Sequence, residues 1–245
     1  MCGIVGAFLV GGPVSPVLLE GLKILEYRGY DSAGLAITGS GSQGVRVVKA
    51  EGRIANLENR LGESAFDGDA ADLRVGSGHT RWATHGGPTD ENAHPHLDGS
   101  GRVVVVHNGI IENYLELKER LIANGHEFTS ATDTEVIPHL IQELLEQGRS
   151  FEEAVRLAAG RLRGAHAIAC MHAGSPDEMV TLRIGNAGGV SVGHGQGEMF
   201  IASDLPALLP HTNEVTSLEP GEFAVVNPEG CEVTTLDGAR VDASK

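Results

Sequence analysis

Apolar residues in this chain recur in two rhythms, and the order of those rhythms is its strongest constraint on fold. Val17, Leu18, Leu22 and Leu25 recur at helical spacing. Ser15 is the expected N-cap, Pro16 the first helical residue and Gly29 the left-handed residue at the end. Ile54, Leu57 and Leu61 mark a short helix, and Leu115–Asn124 another that stops at Gly125. Thr132-Asp133-Thr134-Glu135 and Ser150-Phe151-Glu152-Glu153 have the capping-box pattern and open two more helices. Pro138 inside the first calls for a kink or a shifted start, and the second is expected to end near Gly164. Strand patterns cover the run from Ile4 to Val10, Leu35–Ile37, Val45–Val48, Val75–His79 and Val103–Val106. Strands are also expected at 165–172, 178–184, 189–194, 198–203, 222–227 and 231–236. Helices thus come in two batches and strands in consecutive blocks, without regular βαβ alternation. That order predicts an α+β fold, antiparallel sheets with helices packed outside. With no repeat and no dividing linker, residues 1–245 read as one domain.

Gly39-Ser40-Gly41-Ser42-Gln43-Gly44 spells G-x-G-x-x-G after a strand. A dinucleotide fingerprint must open a helix, whereas Val45, Val47 and Val48 alternate as a strand, so a hairpin loop explains the glycines. Phe66 to Asp72 reads as an acidic surface loop. Aromatic residues are only 4% of the chain against 41% hydrophobic, so the core must be aliphatic and the single Trp82 stands out. A formal charge of −15 without a basic cluster argues against nucleic acid or an anionic membrane as partner. It leaves room for a small anionic or zwitterionic ligand held by one or two arginines. Three widely spaced cysteines, Cys2, Cys170 and Cys231, suggest no disulfide framework and a reducing compartment. Cys170 belongs to an apolar run and is expected to be inert core. No apolar stretch approaches the ~18–20 residues of a membrane helix, and no signal peptide is evident. The expectation is a soluble, cytoplasmic chain.

Cys2 follows the initiator methionine and is small enough for Met1 to be trimmed away. Cys2 would then carry a thiol and a free α-amine on one residue. An α-amine titrates near ~7.7–8.0 and a thiol near ~8.5, so much of the amine is unprotonated near neutral pH and can take the thiol proton. The thiolate is the nucleophile, and an N-terminal residue acting as its own base is one way to generate it. Read by itself, Cys2 is equally a small hydrophobe at the start of a buried strand. Asn108-Gly109, ending an apolar strand, offers an amide and an unhindered N–H to a developing oxyanion, although Asn-Gly alone is also a turn. Arg81 can grip a carboxylate through two hydrogen bonds, and Asp133 can accept from an ammonium. Each also has a plain reading, as a surface arginine and a helix-start aspartate. His79, His85, His94, His96 and His107 lie close in sequence, but their spacing matches no zinc motif. They are expected to be structural, and neither metal nor cofactor is expected.

Several runs together resemble a known family. They are Cys2–Gly6, Leu25–Gly34, His79–Gly86, Asn92–His96, Val106–Asn113 and Thr132–Glu135, with Phe200–Asp204 as a late marker. They are similar to the glutaminase domain of the glutamine–fructose-6-phosphate aminotransferase family. Its glutaminase domains are class II glutamine amidotransferases, which are N-terminal-nucleophile hydrolases. The likeness spans nearly the whole chain and is most specific up to Glu135.

The resemblance implies a four-layer αββα sandwich of the N-terminal-nucleophile hydrolase type. It also implies that Cys2 attacks the side-chain amide of L-glutamine, giving a γ-glutamyl thioester and ammonia, after which water releases glutamate. Asn108 and Gly109 would form the oxyanion hole, Arg81 would bind the α-carboxylate and Asp133 the α-amine. Thr84 and His85 would lie in a loop closing over the substrate, with Trp82 on the lid facing the ammonia exit. Arg28 would pack near the Cys2 end and order it. Two departures stand out. The chain reads Gly185-Asn186-Ala187-Gly188-Gly189 where the family usually has Gly-Ser-Pro-Leu. It also stops at Lys245, where the family continues into a sugar-phosphate isomerase portion. The expected partner is therefore an ammonia-accepting isomerase domain or a separate acceptor protein. The alternatives are a free-standing glutaminase serving another acceptor, and a catalytically silent glutamine-sensing module.

Overall fold

Every strand pairing in this computed structural model, which describes residues 2–39, 44–63 and 73–242, is antiparallel. The first sheet contains β1 (Gly3–Phe8), β2 (Ser32–Thr38), β3 (Arg46–Glu51), β4 (Val75–Arg81), β9 (Ser191–His194), β10 (Met199–Ala202) and β11 (Val215–Ser217). Their order is β11-β9-β10-β1-β4-β2-β3. The second contains β5 (His96–Leu97), β6 (Val103–Gly109), β7 (His166–His172), β8 (Met179–Ile184), β12 (Glu222–Asn227) and β13 (Gly230–Thr235). These run β13-β12-β8-β7-β6-β5. Five α-helices complete the described residues: α1 (Ser15–Ile24), α2 (Ile54–Glu63), α3 (Tyr114–Ala123), α4 (Val136–Glu146) and α5 (Phe151–Ala159).

Strand alternation assigns the layers. On β1, Ile4 and Phe8 pack between the sheets with Val104, Val106, Ala169 and Met171. Val5 and Ala7 point the other way, onto Leu18 and Leu22 of α1 and beside Leu57 of α2. Val103 and Val105 of β6 likewise turn outward, onto Leu121 of α3, Leu140 and Leu144 of α4 and Val155 of α5. Unbroken apolar runs such as Val103–Val106 are therefore buried on both faces. The result is the α+β, four-layer αββα sandwich that the resemblance implies. β1 lies at the middle of its sheet, with Gly3 opposite Thr80 and Val5 opposite both Gly78 and Ala202. Cys2 thus emerges next to the end of β4.

Several local expectations need correction. The residue capping α1 is Val14, not Ser15, and no side chain makes a cap bond there. Gly29 is extended (φ −170°) rather than left-handed, following a short turn at Glu26–Arg28. What requires glycine is space, since a Cβ there would stand 2.7 Å from the Arg81 carbonyl carbon. The Thr132–Glu135 box does not cap α4. The Glu135 carboxylate instead accepts from the backbone N–H groups of Thr129 and Ser130, each at 2.7 Å. The shifted start does occur, with Pro138 in the first turn of α4, where its missing N–H costs no helical bond. The Ser150 cap holds, Oγ accepting from the Glu153 N–H at 3.2 Å. Leu35 pairs with Val48 across the hairpin of β2 and β3, although its tip at 40–43 lies outside the described residues, as does the loop expected at 66–72. The short strands β5 and β11 were not expected. No helix among the described residues is long and apolar enough to cross a membrane.

Candidate active site

Side chains from β4, from β6 and from the residue after β10 fix the backbone around Cys2. The Gly3 N–H donates to Thr80 Oγ1 at 3.1 Å, and the Ile4 N–H to Ser203 Oγ at 2.9 Å. The Cys2 carbonyl accepts from Asn108 Nδ2 at 3.0 Å. The half-buried thiol lies 3.1 Å from the Trp82 N–H and 3.6 Å from the Trp82 carbonyl oxygen. Burial pushes its pKa up, while the Trp82 N–H and the Arg81 guanidinium pull it back. The thiol therefore needs a base.

A cavity of about 600 Å³ opens beside this thiol. Eight of the nine residues singled out from sequence line it: Cys2, Arg81, Trp82, Thr84, His85, Asn108, Gly109 and Asp133. Arg28 stands apart. Its guanidinium pairs with Asp204, whose carboxylate also accepts from the Tyr27 hydroxyl. Since Ser203 holds the Ile4 N–H, Arg28 reaches the Cys2 end only through its neighbours.

Asn108 and Gly109 end β6, opposite Ala167 and His166. Gly109 has φ +138° and no room for a Cβ, which would lie 2.3 Å from the Ala165 carbonyl oxygen. Its N–H is thus presented without a side chain in the way. Arg81 is buried, and its guanidinium donates to the carbonyls of His85, Gly86 (3.1 Å) and Gly87 (3.0 Å). Burial lowers its pKa, opposed by negative charge at Cys2, Asp133 and Asp31. Asp133 is also buried, and Oδ2 accepts from the Ile111 N–H at 2.7 Å. Trp82 is 47% exposed and meets Tyr30 edge-on with centroids 5.6 Å apart. The His85 ring packs against Tyr114 at 5.4 Å.

His79, His94, His96, His107 and His166 are buried together, and His94 and His107 line the cavity. Thr132 Oγ1 sits 3.0 Å from His96 Nε2, and Thr134 Oγ1 2.8 Å from His107 Nδ1, so the rings position the residues on either side of Asp133. Burial pushes all five rings below the usual imidazole range, His79 to about 4. Among the described residues no group of His, Cys, Asp and Glu has the arrangement of a metal site. These histidines are bonded parts of the framework.

Sequence reasoning assigned no role to Thr80 or Ser203, although both lie in runs that carried the resemblance. It also missed Ile110, Glu112, Asn186 and Ala187, which line the cavity. The last two come from the segment that departs from the family pattern.

Residues 79–210 match the glutamine amidotransferase domain family. The glutamine–fructose-6-phosphate aminotransferase (isomerizing) of Thermococcus kodakarensis is 48% identical over 241 residues, covering 98% of this chain and 38% of that protein. The protein of the same name from Symbiobacterium thermophilum is 50% identical, with the same two coverages. The chain thus spans about 38% of the length of these curated relatives. Among solved structures, the glutamine phosphoribosylpyrophosphate amidotransferase of B. subtilis, complexed with ADP and GMP, superposes with a TM-score of 0.78 at 25% identity. That match covers 96% of this chain and 49% of the other. A glutamine aminotransferase class-II domain protein from Silicibacter pomeroyi gives 0.62 at 17% identity over 96% and 99% of the two chains, a likeness of fold alone. The sandwich is of the N-terminal-nucleophile hydrolase type, and the chain belongs to the glutamine amidotransferase domain family.

Proposed function

We propose that the cavity binds L-glutamine and that Cys2, made N-terminal by loss of Met1, hydrolyses its side-chain amide. One observation carries this reading: the Cys2 thiol, the Asn108-Gly109 pair and the side chains of Arg81 and Asp133 all line one cavity. The α-amine of Cys2 takes the thiol proton, and Sγ attacks the amide carbon. Charge developing on the amide oxygen is met by Asn108 Nδ2–H and the Gly109 N–H. The proton passes to the amide nitrogen, the C–N bond breaks and ammonia leaves a γ-glutamyl thioester. Water, deprotonated by the same amine, attacks the thioester and releases glutamate and the thiol.

Arg81 binds the α-carboxylate in this reading. Three loop carbonyls engage three of its five N–H groups, orienting the plane and leaving two for the substrate. Asp133 binds the α-ammonium. Thr84 and His85 close over the substrate, and Trp82 faces the ammonia exit. Arg28, through Asp204, stiffens the segment that holds Ile4.

Residues 1–245 act here as a glutaminase domain. Its ammonia serves glucosamine-6-phosphate synthesis from fructose-6-phosphate, performed by an isomerase domain or separate acceptor outside these residues. The names and lengths of the relatives support that acceptor, and the widely spaced cysteines fit a cytoplasmic setting. The test is release of glutamate and ammonia in equal amounts by a chain whose intact mass shows Met1 removed. Cys2→Ala should abolish release while the circular dichroism spectrum is retained. An unchanged rate in Cys2→Ala would overturn the mechanism.

A further inference from the structure

His79 on β4 is fully buried and does not line the cavity. Its ring stacks on His94, with centroids 4.1 Å apart and planes 13° from parallel. His94 is itself fixed, since Nδ1 accepts from the His107 N–H at 3.3 Å. On its inner edge, His79 Nε2 lies 3.1 Å from the His107 carbonyl oxygen and 3.1 Å from Asn108 Oδ1. A carbonyl oxygen can only accept, so Nε2 carries the proton and Nδ1 is a bare lone pair. Nδ1 is buried and has no hydrogen-bond partner. The ring leaves one nitrogen unsatisfied, at a cost, and keeps the other as a donor.

That donor decides which way Asn108 faces. A carboxamide donates on one edge and accepts on the other. In the observed orientation Oδ1 accepts from His79, and Nδ2 points to the Cys2 carbonyl 3.0 Å away. Turned over, the amide would set N–H against N–H at His79 and oxygen against oxygen at Cys2. Both bonds would become repulsive contacts. We infer that His79 is a positioning residue for the oxyanion hole, its Nε2–H locking the Asn108 carboxamide with the NH₂ edge toward Cys2. The inference rests on the proposed role of Asn108. Burial, which holds the His79 pKa near 4, keeps this neutral tautomer in place at neutral and mildly acidic pH.

Steady-state glutamate release by the whole chain tests this with four variants. His79→Leu occupies similar volume without a donor, whereas His79→Gln can place an N–H near the position of Nε2. His79→Leu should lower kcat by about 10- to 100-fold, with KM within about twofold of the parent. His79→Gln should stay within about fivefold of the parent. Adding His79→Leu to Asn108→Ala should cost little more than Asn108→Ala alone, since both act through one group. The inference is overturned if His79→Leu retains parental kcat, if Gln restores no more than Leu, or if the double variant loses the product of the two effects. Parental kcat in Asn108→Ala would instead overturn the oxyanion assignment beneath it. Should His79→Leu fail to fold by circular dichroism, His79→Asn replaces it, because its amide is too short to reach Asn108. Asn should then lose what Gln keeps, and equal rates for the two would overturn the inference.

Discussion

Asp133 makes two demands on one carboxylate: Oδ2 accepts from the Ile111 N–H, and the charge faces the cavity. Asp133→Asn keeps an acceptor for Ile111 but removes the charge, so it separates the two roles. In this variant KM for glutamine should rise by about 10- to 100-fold, the worth of a charged hydrogen bond of about 1.5–3 kcal/mol, with little change in kcat. Initial-rate kinetics checks this, and an unchanged KM would remove Asp133 from substrate binding. Cys2, Arg81 and Asp133 were singled out by residue type, but each kept a plain reading, and it was the resemblance that gave them roles; the structure places all three on one cavity. Thr80 and Ser203 were not singled out. Their role is to accept from backbone N–H groups distant in sequence, and a hydroxyl on a strand carries no sign of which N–H it will meet. The Asn108-Gly109 pair was ambiguous for the opposite reason, since its dipeptide is also a common turn. The strand pairing with β7 shows that the two residues end a strand and do not form a hairpin turn.

The elements around the site bring a buried cluster of neutral imidazoles, and this gives the fold a pH dependence. His79 has its pKa pushed by burial from 6.5 to about 4, and His94, His96, His107 and His166 are shifted the same way. In the unfolded chain each takes a proton near 6.5, whereas the folded chain resists until lower pH. Stability is therefore fully present above about pH 6.5 and falls as the pH drops through the lowered folded-state values. For His79 alone the full loss is on the order of 3 kcal/mol by pH 4. Thermal melts should show the midpoint falling between about pH 7 and pH 5, above the range in which ordinary carboxylates titrate. A flat midpoint over that interval would contradict the picture of a neutral buried cluster. The cluster's existence was partly legible, since five histidines within 29 positions, 79–107, invited an explanation. Its fifth member in the structure, His166, lies far along the chain and replaces His85, whose ring packs on Tyr114 instead. Helix starts were read less well than strands. Ser15 and Thr132 carry the residue types of caps, but Val14 and Glu135 occupy the cap positions. Tertiary partners such as His96 engage the Thr132 hydroxyl that the local pattern had assigned to the helix.

At the scale of the whole molecule, the grouping of helices and strands made antiparallel sheets with helices packed outside legible, whereas the four layers came from the resemblance, since an unbroken apolar run such as Val103–Val106 does not say which residue faces which layer. Which strands neighbour one another was not legible either. β1 pairs with β4 and β10, neither of which follows it directly in the chain, and the pairing with β4 brings Cys2 to Trp82 and Arg81. The two sheets then set the end of β6 against the end of β1, so that Asn108 meets the Cys2 carbonyl. The central claim is that this meeting point carries out covalent chemistry on Cys2. The most direct test is an acid quench of the chain during glutamine turnover, followed by peptide mapping by mass spectrometry. The account predicts a γ-glutamyl adduct on the peptide that begins with Cys2, lost when the glutamine is exhausted. An adduct on Cys231, or confirmed turnover with Cys2 unmodified at every quench time, would contradict it.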